Sequence, residues 1–124
     1  MGIYLIPKRR KMTDILKNEM ALERLIEQGD CNNMHGDEIV DDIERILTIK
    51  DLWIKSNGHW WDTLCIDFDE NDWSSAVLLI ALALKWKADE IHWVTKDTEE
   101  WVKVYLFQDT QPRPKNSYLR LWWD

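Results

Sequence analysis

Carboxylates cluster between a predicted strand and a predicted helix, in the segment Asp67-Phe68-Asp69-Glu70-Asn71-Asp72. Oxygen ligands at such a junction are suited to Mg²⁺ or Ca²⁺. The Asp-x-Asp-x-Asn start resembles a calcium loop, but Asp72 stands where that loop needs Gly, and Leu78 where it needs Glu. We therefore expect Asp72 to cap the helix. A metal-dependent enzyme centred on Asp67 and Asp69 is kept as an alternative.

Cysteine and histidine are the usual zinc ligands, and the chain offers Cys31, His35, His59 and Cys65. Cys31 and His35 have a suitable spacing. His59 and Cys65 do not, because a strand rises about 3.3 Å per residue and separates them by about 20 Å. The sequence also has no Gly-rich phosphate loop and no Ser or Cys nucleophile motif. We predict no metal, no cofactor and no enzymatic activity.

The acidic residues favour binding to a basic surface. The net charge is −7, and residues 30–72 hold twelve acids and three bases, a local charge of −9. Such a field repels nucleic-acid backbones and attracts basic surfaces. Helix-dipole stabilisation and solubility are structural reasons for the same pattern. The candidate protein-binding acids are Asp37, Glu38, Asp41, Asp42, Asp69 and Glu70.

Strand alternation predicts a second candidate surface near the C-terminus. If residues 100–108 and 117–123 share a sheet, one face carries valine and leucine side chains. The opposite face carries aromatic and basic side chains: Trp101, Lys103, Tyr105, Phe107, Tyr118, Arg120 and Trp122. Such a face could stack nucleotides, bind a small ligand or anchor a protein interface. It could also be covered, since nine tryptophans make a Trp-rich core reasonable. The overall acidity counts against direct nucleic-acid binding.

The N-terminus and the apolar runs of the sequence bear on where the protein is located. A candidate strand at residues 3–6 precedes the basic cluster Lys8-Arg9-Arg10-Lys11, which is too short to establish nucleic-acid binding. Met12 is an alternative start that would remove both. The longest apolar run, Ala76 to Leu84, is about half a membrane span. Two cysteines without a secretory signal favour a reducing, cytoplasmic setting.

The elements that must position these residues follow from periodicity and turn signals. Thr13 is the expected N-cap of the first helix and Gly29 its expected stop. The third helix is apolar all round, which predicts burial on most sides at the centre of the fold. Asn57-Gly58 predicts a hairpin, and a turn at residues 97–99 predicts another. The predicted helices span 14–28, 37–50 and 72–86, a loop spans 31–36, and the predicted strands span 3–6, 52–55, 60–68, 90–96, 100–108 and 117–123.

These elements predict a single α+β domain over residues 1–124, with residues 1–11 as a peripheral strand plus a basic segment. About three helices pack on one mainly antiparallel sheet of five to six strands, in the order (β)ααββαβββ. The leading functional hypothesis is a small inhibitor, of the anti-defence or immunity-protein type. It would occlude a basic surface of a partner, such as a nucleic-acid-binding complex. A homodimer is left open, and no membrane partner is expected.

Overall fold

The computed structural model describes residues 12–31, 33–55, 63–104 and 113–124. Several predicted features lie outside these ranges. They are the strand at 3–6, the basic cluster at 8–11, the Asn57-Gly58 turn with His59, and the aromatic residues Tyr105 and Phe107. Three helices and seven strands are described: α1 (Met12–Gln28), β1 (Asp30–Cys31), β2 (Met34–His35), α2 (Gly36–Leu47), β3 (Trp53–Lys55), β4 (Thr63–Asp67), α3 (Trp73–Lys85), β5 (Glu90–Thr95), β6 (Trp101–Lys103) and β7 (Ser117–Trp122).

Five of these strands form one antiparallel sheet in the order β3-β4-β7-β5-β6. β7 pairs with β4 on one side and β5 on the other, so the last strand of the chain lies at the centre. β5 and β6 form the hairpin predicted around residues 97–99. The predicted α+β arrangement of three helices on a mainly antiparallel sheet is confirmed.

Alternation along the central strand separates the two faces of the sheet. Leu119 and Leu121 are fully buried, whereas Tyr118, Arg120 and Trp122 are half-buried. The register places Leu119 and Leu121 beside aliphatic and aromatic residues of β4 and β5: Leu64, Ile66, Ile91 and Trp93. These side chains form one core cluster with apolar residues of the helices, among them Leu22, Leu25, Ile39, Ile43 and Leu79.

A buried asparagine joins α1 to the first strand of the sheet. The Asn18 side-chain amide donates to the Leu52 carbonyl over 2.7 Å, and its oxygen accepts from the Ile54 amide over 2.7 Å. Asn18 is 3% exposed. Because both polar groups have partners, this burial costs little and fixes the register between α1 and β3.

Glycines shape the connection between α1 and α2. Gly29 ends α1 with φ of +64° and donates from its amide to the Leu25 carbonyl over 3.1 Å, as its predicted role as a helix stop requires. Gly36 begins α2 where a Cβ atom would stand 2.2 Å from the Leu25 carbonyl oxygen. Only glycine therefore lets the start of α2 approach the end of α1 this closely.

Several predicted boundaries differ from the structure. α1 begins at Met12, so the predicted cap Thr13 lies inside the helix. The predicted loop at 31–36 takes part in a short hairpin, because β1 and β2 pair with each other. α2 spans Gly36–Leu47 instead of residues 37–50, with Thr48 as its C-cap. At the end of α2, the Thr48 hydroxyl donates to the Arg45 carbonyl over 2.6 Å, and such a local hydrogen bond competes with continuation of the helix.

α3 starts as predicted, but its burial differs from the prediction. The Asp72 carboxylate caps the helix by accepting from the Ser75 amide over 3.1 Å. The expectation that α3 is buried on most sides is wrong. Its buried residues lie on one side (Ser75, Ala76, Leu79 and Ala83), and Trp73, Val77 and Leu84 are exposed. A single sheet can cover only one face of a helix, however apolar the others are. None of the helices in the described ranges is long and apolar enough to cross a membrane.

Asp42 ties α2 to the end of α3. Its carboxylate accepts from the Lys85 ammonium over 2.9 Å and from the Trp86 indole N–H over 2.8 Å, and the residue is 8% exposed. Burial alone raises the pKa of Asp42, but the hydrogen bonds from Lys85 and Trp86 outweigh burial and hold the pKa below its usual value. The charged carboxylate therefore stabilises the folded state.

Replacing Asp42 by asparagine should test this tie. We expect Asp42→Asn to lower the free energy of unfolding at neutral pH by roughly 1–3 kcal/mol, because bonds to a charged acceptor are lost. The contribution is fully present above the unfolded pKa of about 3.9 and is lost as the pH falls through the lower folded value. The difference between wild type and variant, measured by urea unfolding, should therefore shrink below about pH 4.

The neighbouring exposed acid supplies the control. Asp41→Asn removes the same charge from α2 but should change the free energy of unfolding by less than about 0.5 kcal/mol. An equal loss for Asp42→Asn at acidic and neutral pH would show that the charged form of Asp42 does not stabilise the fold.

Candidate functional site

The outer side of α2 carries a run of exposed acids. Ile39, Ile43 and Ile46 hold the inner side of the helix in the core. The residues on the outer side are therefore exposed, and four of them are acidic: Asp37, Glu38, Asp41 and Glu44. We call these four residues the acidic helix surface. Arg45 is the basic residue in the last turn of the same helix.

Of the six acids predicted to bind a partner, three lie on the acidic helix surface: Asp37, Glu38 and Asp41. Asp42 faces α3, because its carboxylate is bound by Lys85 and Trp86. The spacing of acids along α2 could not separate these roles. Lys85, whose ammonium group binds the Asp42 carboxylate, lies 43 positions further along the chain than Asp42.

α1 adds acids that were not singled out from the sequence. Glu19, Glu23 and Glu27 are all exposed. Their spacing of four residues places them on one side of the helix, away from the buried Leu22 and Leu25. The same periodicity that predicts the buried stripe could have identified them, although they lie outside the most acidic segment of the sequence.

Asp69 and Glu70 lie at the junction between β4 and α3, which Arg113 joins to the start of β7 by hydrogen bonds. The Arg113 guanidinium donates to the carbonyls of Phe68, Asp69 and Ser117 over 3.0, 3.0 and 2.7 Å. It also lies 4.2 Å above the centre of the Phe68 ring. Glu70 accepts from the Asn116 amide over 3.0 Å. The acids at this junction thus take part in its internal hydrogen bonding.

The same junction borders an open cleft of about 500 Å³ lined by Trp53, Asp67, Phe68, Asp69, Glu70, Lys96, Arg113, Asn116 and Ser117. Within it, the Lys96 ammonium lies 2.6 Å from the Asp67 carboxylate. A divalent cation at Asp67 would have to displace this ammonium group. In the described part of the chain, no three His, Cys, Asp or Glu residues are grouped in a way that could hold a metal ion.

The sheet face opposite the helices carries the second candidate surface. Its described residues are Trp101, Lys103, Tyr118, Arg120 and Trp122, which we call the aromatic–basic face. Trp101 is 57% exposed, and the Arg120 guanidinium lies 4.0 Å above its ring centre. Arginine over tryptophan is a favourable cation–π pair. The predicted alternation of these two strands is confirmed for the described residues.

His92 lies beneath this pair. Its ring is 5.5 Å from that of Trp101, and its Nδ1 is 3.4 Å from an Arg120 guanidinium nitrogen. Burial lowers the pKa of His92, and although Glu90 opposes this, Arg120 and Lys103 lower it further. A neutral imidazole can accept from Arg120, so the ring helps to hold the guanidinium over Trp101.

The register explains why this face is locally basic in an acidic protein. One row across the sheet aligns Cys65, Arg120, His92 and Lys103 on four neighbouring strands. Arg120 and Lys103 thus lie close together on this face, while the exposed acids of α1 and α2 lie on the helices. The face is only partly open, because Cys65, His92 and Val94 on it are buried.

Comparison of this chain with protein-family models, with curated proteins and with solved structures gives no match. Its function must therefore be inferred from its own residues.

Proposed function

We propose that this chain is a small cytoplasmic protein that binds a basic surface of another protein through its acidic helix surface. Such binding would occlude that surface, as an inhibitor of a nucleic-acid-handling protein does, in the manner of anti-defence or immunity proteins. The observation that carries the proposal is the exposed position of Asp37, Glu38, Asp41 and Glu44 along one side of α2.

The packing of α2 makes this surface suitable for recognition. A surface binds more tightly when its backbone is already ordered before binding, because ordering the backbone during binding costs conformational entropy and lowers the affinity. α2 is held by its buried isoleucines and by the tie from Asp42 to Lys85 and Trp86. Its outer carboxylates are thus presented on a rigid element. Opposite charge on a partner would speed association and make it sensitive to salt.

Charge reversal on α2 tests the proposal. The variant carrying Asp37→Lys, Glu38→Lys and Asp41→Lys should capture its partner from cell lysate at least about 10-fold more weakly, because attraction becomes repulsion. Capture by the wild-type chain should itself weaken between about 0.05 and 0.5 M salt, since screening shortens the range of the field. Quantitative mass spectrometry of the captured proteins measures both effects.

The control carries the same change in charge at the turn between β5 and β6. Asp97→Lys, Glu99→Lys and Glu100→Lys alter exposed residues around the β5–β6 turn and should leave capture within about two-fold of wild type. A second control is the neutral set Asp37→Asn, Glu38→Gln and Asp41→Asn. It removes the negative charges without placing positive charges at the start of α2, so it destabilises the helix less than the lysine set. Equal losses in the α2 and β5–β6 variants, or none, would contradict a specific role for α2.

The aromatic–basic face supports a second candidate function, the binding of single-stranded nucleic acid or a small aromatic ligand. The observation that favours it is the exposed Trp101 ring with Arg120 held over it. Bases stack on such rings with roughly 1–3 kcal/mol each. The net charge of −7 opposes this function at long range, so binding would depend on the local row of basic residues.

Tryptophan fluorescence distinguishes this second function. A single-stranded oligonucleotide at low salt should quench the emission, and Trp101→Ala or Trp122→Ala should remove most of that quenching. Trp73→Ala is the matched control, because Trp73 is 61% exposed but lies on α3. An absence of quenching in the wild-type chain would eliminate this candidate.

A further inference from the structure

α3 presents apolar side chains that nothing in the described fold explains. Trp73, Val77 and Leu84 are 61%, 51% and 52% exposed, and Ile80 is partly buried. Their spacing of four, three and four residues places them on one side of the helix. We call these four residues the apolar stripe. Exposed apolar residues scattered singly need no explanation, but a contiguous row on one helix is typical of an interaction surface.

We propose that the apolar stripe is the interface between two copies of this chain, with their α3 helices packed antiparallel. The stripe is symmetric about its midpoint, between Leu78 and Leu79. In an antiparallel pair, Trp73 therefore lies opposite Leu84 of the second copy, and Val77 opposite Ile80 of the second copy. A two-fold symmetric interface requires this kind of self-complementary surface.

The residues beside the stripe permit close packing of two helices. Ser74 and Ala81 are small and exposed, and no charged residue lies within the stripe. Two such helices can approach to the lower end of the usual 8–10 Å between axes. A charge does lie beside the stripe, because the Lys50 ammonium donates to the Ser74 hydroxyl over 2.6 Å. It also lies 3.8 Å from the Asp72 carboxylate, so it would keep a partner at the interface.

The charges at the two ends of the stripe favour the antiparallel arrangement. Glu70 is exposed just before α3, and Lys87 is exposed just after it. These two residues are equally far along the sequence from the midpoint, so an antiparallel pair places the acidic end of each α3 beside the basic end of the other. A parallel pair would bring like charges together, and it would also align the two helix dipoles unfavourably.

The size of the stripe and the charge of the chain set the strength of the dimer. The stripe is about 16 Å long at 1.5 Å per residue, and so covers less than the roughly 800 Å² per partner of a standard interface. The expected dimer is weak.

The charge of the chain determines how the dimer responds to salt. Each copy carries a net charge of −7, so the two copies repel each other, and added salt screens this repulsion. The dimer should therefore strengthen with salt, whereas a complex with a basic partner would weaken. The proposal goes beyond the proposed function and does not depend on it.

Sedimentation equilibrium of the full chain tests the dimer. From about 10 µM to 1 mM protein, the average mass should rise from 14.9 kDa toward twice that value. The rise should begin at a lower concentration in about 0.5 M than in about 0.05 M salt. A chain that stays monomeric throughout this range, or one that associates only at low salt, would overturn the proposal.

Two matched variants distinguish association through the apolar stripe from non-specific association. Val77→Lys puts a charge in the middle of the stripe and should raise the dissociation constant at least about 10-fold. Met20→Lys makes the same kind of change at an apolar residue on α1 that is 68% exposed, and should have little effect. Circular dichroism establishes that both variants are folded. Equal effects of the two variants would show that α3 is not the interface.

Cross-linking tests the antiparallel register directly. When Trp73→Cys and Leu84→Cys chains are mixed and oxidised, disulfides between residue 73 of one copy and residue 84 of the other should form fastest. Residues 73 of the two copies lie about 16 Å apart in this arrangement, beyond the reach of a disulfide. Peptide mapping assigns the linked residues and separates them from native cysteines. Preferential linkage of 73 to 73 would contradict the register.

Discussion

The fold depends on the insertion of its last strand into the middle of the sheet. β7 pairs with β4 on one side and with β5 on the other, so the five-stranded sheet cannot form before residues 117–122 join it. Anchors beyond the ladder fix the strand in place. The buried Trp123 indole donates to the Trp86 carbonyl over 2.7 Å, just after α3. At the other end, Arg113 joins the Ser117 carbonyl to those of Phe68 and Asp69 at the end of β4.

This central strand also separates the two candidate surfaces. Leu119 and Leu121 point into the core beneath the helices, and Arg120 between them points to the opposite face, where it contacts His92 and Trp101. The acids of α2 are held on the far side of the same core. The molecule thus presents acids on the outer surfaces of α1 and α2, and the Arg120–Trp101 pair on the opposite face of the sheet. A partner that recognises charge would meet only one of them at a time.

Local sequence patterns determine most of the elements but not their assembly. The alternation of Tyr118 to Trp123 predicts which side chains are buried, and Asp72 predicts the start of α3, because both signals act within a few residues. The strand order depends on pairings between distant segments, for which the sequence has no local signal. Arg113 shows the same limit: no motif marks it in the sequence, and its role arises from carbonyls 44 and 45 positions away. The apolar composition of α3 predicts burial on most sides, but the sheet covers only one.

Hydrogen exchange of the backbone amides, followed by NMR under native conditions, tests the central role of β7 most directly. If the sheet depends on this strand, its amides should exchange only through global unfolding. They should then be protected at least about 10-fold more strongly than the amides of the edge strands β3 and β6. Exchange in β7 that is as fast as in β3 and β6 would show that the strand can open by itself, and would contradict this account.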